Sequence, residues 1–150
     1  MKKLKVHLDK KQSRSHEICI GYDIFDRIAV MIANSRIAAR YVIVTDDRVC
    51  NLHGETLLAH LTKMGARSDM IVFPAGERSK NFQSVLDIAL QLLTLGVDRK
   101  SALIALGGGV AGDLTGFVAS VYMRGIPCIQ IPTTLLAQVC LLYTSPSPRD

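Results

Sequence analysis

Two periods govern the order of apolar and polar residues in this chain. Residues 4–8 (LKVHL) and 17–20 (EICI) alternate with period two, as short strands do, and the polar KKQSRSH segment between them fits a hairpin connection. From Asp23 to Arg36 the apolar residues Ile24, Phe25, Ile28 and Ile32 return at helical spacing. The pattern then changes. In RYVIVTDD the run Tyr41 to Thr45 is continuously apolar up to two carboxylates, as in a strand covered on both faces. A helix from about Val49 to Met64 follows, stopped by Gly65, and the cycle repeats. Met70 to Phe73 forms a strand. FQSVLDIALQLLTLG forms an amphipathic helix with Asn81 as N-cap and Gly96 as its stop. SALIAL is the next strand, then three glycines, a helix from Val110 to Tyr122, a strand from Cys128 to Ile131 and the start of another helix. Strand and helix alternate about every 30 residues, which predicts an α/β fold with a Rossmann-like, mostly parallel sheet and flanking helices.

Composition supports this and narrows the function. The chain has 150 residues, enough for one domain with a sizeable core, and 49% of them are hydrophobic. Mean hydropathy is +0.25, high for a domain in water and in keeping with strands buried on both faces. No apolar run approaches the roughly 18 residues of a membrane span. Lys5, His7 and Asp9 interrupt the basic N-terminus, so no secretory signal is expected, and a cytoplasmic protein without a membrane partner is. The net charge of +5 resides in residues 1–14, with six basic residues against Asp9, leaving twelve basic and twelve acidic elsewhere. A basic end without interleaved aromatic residues predicts a solvated edge and no nucleic-acid partner. Cys19, Cys50, Cys128 and Cys140 form no CxxC pair, and the four histidines form no HxH or HxxxH pair, so spacing indicates no metal site.

Candidate chemistry gathers at four strand ends, where ligands of parallel sheets bind. These are Thr45-Asp46-Asp47, the loop Pro74 to Lys80, the run Gly107 to Asp113, and Pro132-Thr133-Thr134. Gly107, Gly109 and Gly112 fit GxGxxG between strand and helix, where a pyrophosphate can approach the backbone and the helix N–H groups. The motif stands on a late unit and lacks the acidic residue about 20 positions on, so a tight packing turn remains open. Asp46 or Asp47 can accept from ribose hydroxyls or cap a helix. Glu77 and Lys80 can meet a sugar and an anion, or be solvated. Asp113 can complement a helix dipole, and Arg124 can end a helix or clamp an anion.

Taken in order, the strings are more specific. ALGGGVAGDLTGFVASVYMRGIPCIQIPTTLLAQV, Ala105 to Val139, resembles the nucleotide-binding half of the 3-dehydroquinate synthase family, and VFPAGERSKNFQSV resembles its GExxK loop. The resemblance spans almost all of residues 1–139. It implies an enzyme that uses NAD and a divalent metal, zinc or cobalt, to convert 3-deoxy-D-arabino-heptulosonate 7-phosphate to 3-dehydroquinate and phosphate, in the shikimate route to aromatic amino acids. It also implies a cytoplasmic, homodimeric parent with a small sugar-phosphate substrate. Carried over by position, Ala75, Gly76, Glu77, Arg78, Ser79 and Lys80, then Gly109, Val110, Ala111, Gly112 and Asp113, then Thr133 and Thr134, match NAD-contacting segments. Asp46 matches the adenosine-ribose region, and Arg124 a substrate-contacting arginine.

After Val139 the pattern departs. Cys140 stands where the family has an aspartate, no GGK segment follows, and the helical second domain with its metal ligands is absent. CLLYTSPSPRD resembles one frame of a sequencing-library adapter. The expected organisation is therefore an NAD-binding domain over 1–139 and a non-native tail over 140–150, in a fragment inactive by itself and without metal ligands. The alternatives are another sugar-phosphate cyclase or a polyol dehydrogenase of the same superfamily, or a non-catalytic nucleotide-binding module.

Overall fold

The computed structural model describes residues 2–7 and 15–142, and the side chains of residues 18–139. Four strands form a parallel sheet in the order β4-β3-β5-β6: β3 (Arg40–Asp46), β4 (Ser68–Phe73), β5 (Ser101–Gly107) and β6 (Cys128–Pro132). The register pairs Asp46 with Phe73, Thr45 with Leu106, and Gly107 with Pro132, which brings the carboxyl ends of the strands to one edge. The expected Rossmann-like architecture is present. β1 (Lys2–His7) and β2 (Ser15–Ile20) pair antiparallel as a separate two-stranded sheet, and the hairpin connection expected between them lies outside the described residues.

Helices cover both faces, which explains the unbroken apolar runs. On one face Tyr41, Ile43, Ile104 and Leu106 pack with α1 (Phe25–Ser35) and α3 (Glu55–Lys63) through Ala29, Ile32, Leu57 and Leu61. On the other, Val42, Val44 and Leu103 pack with α4 (Phe82–Thr94) and α5 (Gly109–Val121) through Ile88, Leu92, Leu114 and Val118. Side chains alternate across a strand, so every second residue of β3 and β5 serves a different core. The strands begin where a largely buried ion pair joins them. Arg40 donates to Asp69 at 2.7 Å and to the carbonyl of Leu95 after α4.

Several boundaries differ from expectation for local reasons. The helix expected from Val49 begins earlier, as α2 (Asp47–Val49), because the Asp46 carboxylate accepts from the N–H groups of Arg48 and Val49, both at 3.0 Å. A π turn at Cys50–Gly54 then leads into α3. A Cβ on Gly54 would stand 3.0 Å from Met70 Sδ, so the turn lies close against β4. Asn81 caps α4 as expected, accepting from Ser84 N–H at 2.9 Å. α5 stops at Val121, not Tyr122. A 3-10 turn over Tyr122–Arg124 follows, with Met123 and Arg124 at positive φ, so Arg124 does not belong to the last turn of α5. α6 spans Leu135–Leu142 and so includes the first residues of the expected non-native tail; the rest of that tail, 143–150, lies outside the described residues. Among the described residues no helix is long and apolar enough to cross a membrane.

Candidate functional site

The strand order places a crevice. The chain passes from β3 to β4 on one side, then returns to lay β5 on the other side of β3. Connections diverge between β3 and β5, and in open parallel sheets ligands enter there, beyond the carboxyl ends of the strands. Those two ends carry Asp46 and Gly107. A Cβ on Gly107 would lie 2.6 Å from that of Ala111 and 3.5 Å from Asp46 Oδ2. Only a bare backbone permits α5 to start so close to the strand, and that start adjoins the Asp46 carboxylate.

α5 opens without a side-chain cap: its N-cap is Gly108, and the first internal bond runs from Gly112 N–H to the Gly108 carbonyl at 3.0 Å. The N–H groups of Gly109, Val110 and Ala111 therefore have no carbonyl partner within the helix, and they stand at the positive end of its dipole. Nothing lies within 4 Å of a Cβ built on Gly109. Open donors, a dipole and a bare glycine approach fit an anion of pyrophosphate type. Asp46 shares its two oxygens between tasks. Oδ1 caps α2, while Oδ2 lies on the Gly107 side, so capping and the crevice draw on different oxygens.

The other loops form the rim. Asp47 Oδ1 accepts from Ala75 N–H at 3.1 Å, tying the end of β3 to the loop after β4. In that loop Gly76 has φ +111°, a conformation that favours glycine. Lys80 Nζ lies 2.5 Å from Asp113 Oδ2 and 3.9 Å from Glu77 Oε1. The hydrogen bond to Asp113, reinforced by its charge, pushes the Lys80 ammonium above the ordinary lysine range. Glu77 and Arg78 are exposed. Ser79 is buried, and its hydroxyl donates to the Pro74 carbonyl at 2.5 Å, so it shapes the loop from within. Thr133 N–H donates to the Gly107 carbonyl at 2.9 Å. The methyl of Thr134 would touch a Cβ on Gly108 at 3.2 Å, and its hydroxyl accepts from Ala137 N–H at the start of α6.

Of the candidate residues, the fold gathers Asp46, the Ala75–Lys80 loop, Gly109 to Asp113 and the two threonines on one edge. Arg124 is elsewhere. It follows α5, whose thirteen residues carry the chain about 20 Å toward the opposite end of the sheet. Sequence reasoning missed Gln130. From β6 it donates to the Gly112 carbonyl at 3.4 Å, and its side chain stands 3.2 Å from a Cβ on Gly112 and 3.7 Å from one on Gly116. Gly112 thus serves the packing of α5 on β6. The signal was a lone polar residue in the strand CIQIP facing glycines four apart. Among the described residues no three His, Cys, Asp or Glu side chains come together as a metal site.

Comparison with known proteins bears on the family and the fold. Residues 70–140 match the family model described as 3-dehydroquinate synthase N-terminal. The chain is 46% identical over 139 residues to the 3-dehydroquinate synthase of Thermodesulfovibrio yellowstonii, covering 93% of this chain and 38% of that protein. With the enzyme of Caulobacter vibrioides it shares 43% over 130 residues, 84% of this chain and 34% of that one. The chain thus spans about a third to two-fifths of the length of these curated relatives. Among solved structures, the 2-epi-5-epi-valiolone synthase of Streptomyces hygroscopicus, with NAD+ and Zn2+ bound, superposes with a TM-score of 0.71 at 31% identity, over 85% of this chain and 35% of that one. A 2-deoxy-scyllo-inosose synthase superposes at 0.80 over 91% of this chain and 36% of the other; at 24% identity this shows a shared fold.

Proposed function

The chain belongs to the 3-dehydroquinate synthase family as its N-terminal part, and from that premise we propose that the crevice between β3 and β5 is the NAD site of such an enzyme. The observation that carries the proposal is the Gly107 approach, which sets the uncapped start of α5 beside the Asp46 carboxylate. The N–H groups of Gly109, Val110 and Ala111 receive the pyrophosphate. Asp46 Oδ2 accepts from the adenosine ribose. The loop Ala75 to Lys80 and the pair Thr133–Thr134 line the nucleotide's flanks, with Lys80 and Asp113 held as an ion pair at the rim. When bound, NAD supplies reversible oxidation of a ring hydroxyl, which acidifies the neighbouring C–H.

The rest of the proposal concerns a longer parent: conversion of 3-deoxy-D-arabino-heptulosonate 7-phosphate to 3-dehydroquinate and phosphate, in the cytoplasm, by a homodimer with a divalent metal. NAD+ and Zn2+ in the valiolone synthase support the cofactor pair. Arg124 remains a proposed contact for the anionic substrate, although a helix length separates it from this crevice.

Calorimetric titration of the chain with NAD tests the site. Gly109→Asp has open space for its side chain and sets a carboxylate among the free N–H groups, so the fold persists while NAD affinity falls by about tenfold or more. Equal NAD affinity in the two proteins would remove the pyrophosphate from this helix end.

A further inference from the structure

Beneath the first turn of α5 lies a polar side chain that the crevice does not use. Gln130 stands in β6 between Ile129 and Ile131, and it is partly buried. Its Nε2 donates to the Gly112 carbonyl at 3.4 Å and lies 3.6 Å from Cys128 Sγ. Within α5 that carbonyl also accepts from the N–H four residues on, so Gln130 takes its second lone pair. A carbonyl can only accept, which fixes the amide with nitrogen and not oxygen toward Gly112. Two glycines one turn apart make the room. A Cβ on Gly112 would stand 3.2 Å from Gln130 Oε1, and one on Gly116 3.7 Å from Nε2. The chain beyond Gln130 holds α5 twice more: Thr133 N–H donates to the Gly107 carbonyl at 2.9 Å, and Thr134 packs on Gly108. Residues 130–134 therefore grip α5 on both sides of its free N–H groups, those of Gly109, Val110 and Ala111.

An apolar side chain of the same length would fill this slot equally well. What the amide adds is a directed bond to one carbonyl of a turn that has no side-chain cap. An unheld first turn frays, and ordering it on binding would subtract from the affinity. On the reading of the crevice as a NAD site, we propose that Gln130 is a positioning residue for the diphosphate. Its donation to Gly112 holds the first turn of α5, so that the three free N–H groups converge before the ligand arrives. Gln130 acts through the helix and makes no contact with the cofactor. The same role accounts for Gly112, where a Cβ would crowd the amide.

Two variants of the full 150-residue chain separate the bond from the packing. Gln130→Met keeps the length and loses the donor. Gln130→Glu regains a donor only when its carboxyl is protonated, which partial burial beside a carbonyl favours. In calorimetric titrations with NAD, Gln130→Met is expected to lose about fivefold to tenfold in affinity at every pH, with a melting temperature near the parent's. Gln91→Met, on the exposed side of α4, leaves the affinity unchanged. For Gln130→Glu the affinity relative to the parent climbs as pH falls from about 8 to about 5. The neighbouring Cys128 thiol stays protonated across that range, and Asp113 is paired with Lys80 in every variant. Without cofactor, hydrogen exchange at Gly112 N–H, the first bond inside α5, quickens in Gln130→Met. Unchanged NAD affinity in Gln130→Met overturns the proposal, as does unchanged exchange at Gly112 or a flat pH profile for Gln130→Glu. Should Gln130→Met fail to fold, the pH profile decides alone. A parent chain that binds no NAD would remove the cofactor reading itself and the role of Gln130 with it, an outcome distinct from a binding parent and an indifferent variant.

Discussion

At the scale of single residues, Gly107 is the most constrained position of the crevice. The 2.6 Å separation between a Cβ placed there and that of Ala111 cannot be relieved by rotating a side chain, since both atoms are fixed to backbone. Gly107→Ala is expected to push α5 from the strand and cost about 1–3 kcal/mol, measured by urea denaturation, with NAD affinity lost in parallel. An unchanged denaturation midpoint would mean that α5 starts farther out. Cys128 is constrained differently. Burial raises its thiol from 9.0 to about 11, so at pH 8 it remains a thiol and resists alkylation until the chain unfolds. The sign of the pH effect follows. Below pH 9 the stabilisation from the protonated, partly buried thiol is fully present, and it is lost as pH rises toward about 11, because the unfolded chain ionises first. Mass-spectrometric mapping of iodoacetamide labelling against urea concentration checks this, and rapid labelling of native Cys128 at pH 8 would contradict it.

At the scale of elements, polar side chains decide where strands and helices begin. Asp46 starts α2 two residues before the periodicity indicated, because a cap acts on backbone N–H groups and leaves no mark on the apolar pattern. Asn81 was legible, since a lone Asn preceded a clean amphipathic run. Arg40 joins β3, β4 and the end of α4 from a buried position. Asp69→Ala leaves its guanidinium without a counter-ion, and a loss of about 2–3 kcal/mol is expected. A melting temperature within about a degree of the parent's would show that the Leu95 carbonyl suffices. The 3-10 turn after α5 was not legible: Met123 and Arg124 take positive φ without being glycines, and the pattern there continues as if helical.

At the scale of the whole molecule, four strand ends with polar or glycine-rich loops become one edge because the sheet is parallel throughout. Spacing alone could not assign the triple glycine, which also fits a packing turn. Strand order adds what spacing lacks. β3 and β5 lie far apart along the chain and side by side in the sheet, and the pairing of Thr45 with Leu106 brings Asp46 next to Gly107. The chain spans 38% of its Thermodesulfovibrio relative, and Cys140 replaces the aspartate that the family resemblance implies there. The 150 residues are therefore expected to release no phosphate from the heptulosonate phosphate with NAD and zinc present; turnover by the purified chain would refute that expectation. The sequence by itself determined the alternation of strand and helix, the burial of both sheet faces and the family, because periodicity and local strings are properties of consecutive residues. Tertiary structure alone decided that Asp46 faces Gly107, that Gln130 wedges against Gly112 and that Arg124 stands a helix away. Each of these depends on which elements become neighbours, and that is set by strand order and helix packing, which no single stretch of chain encodes.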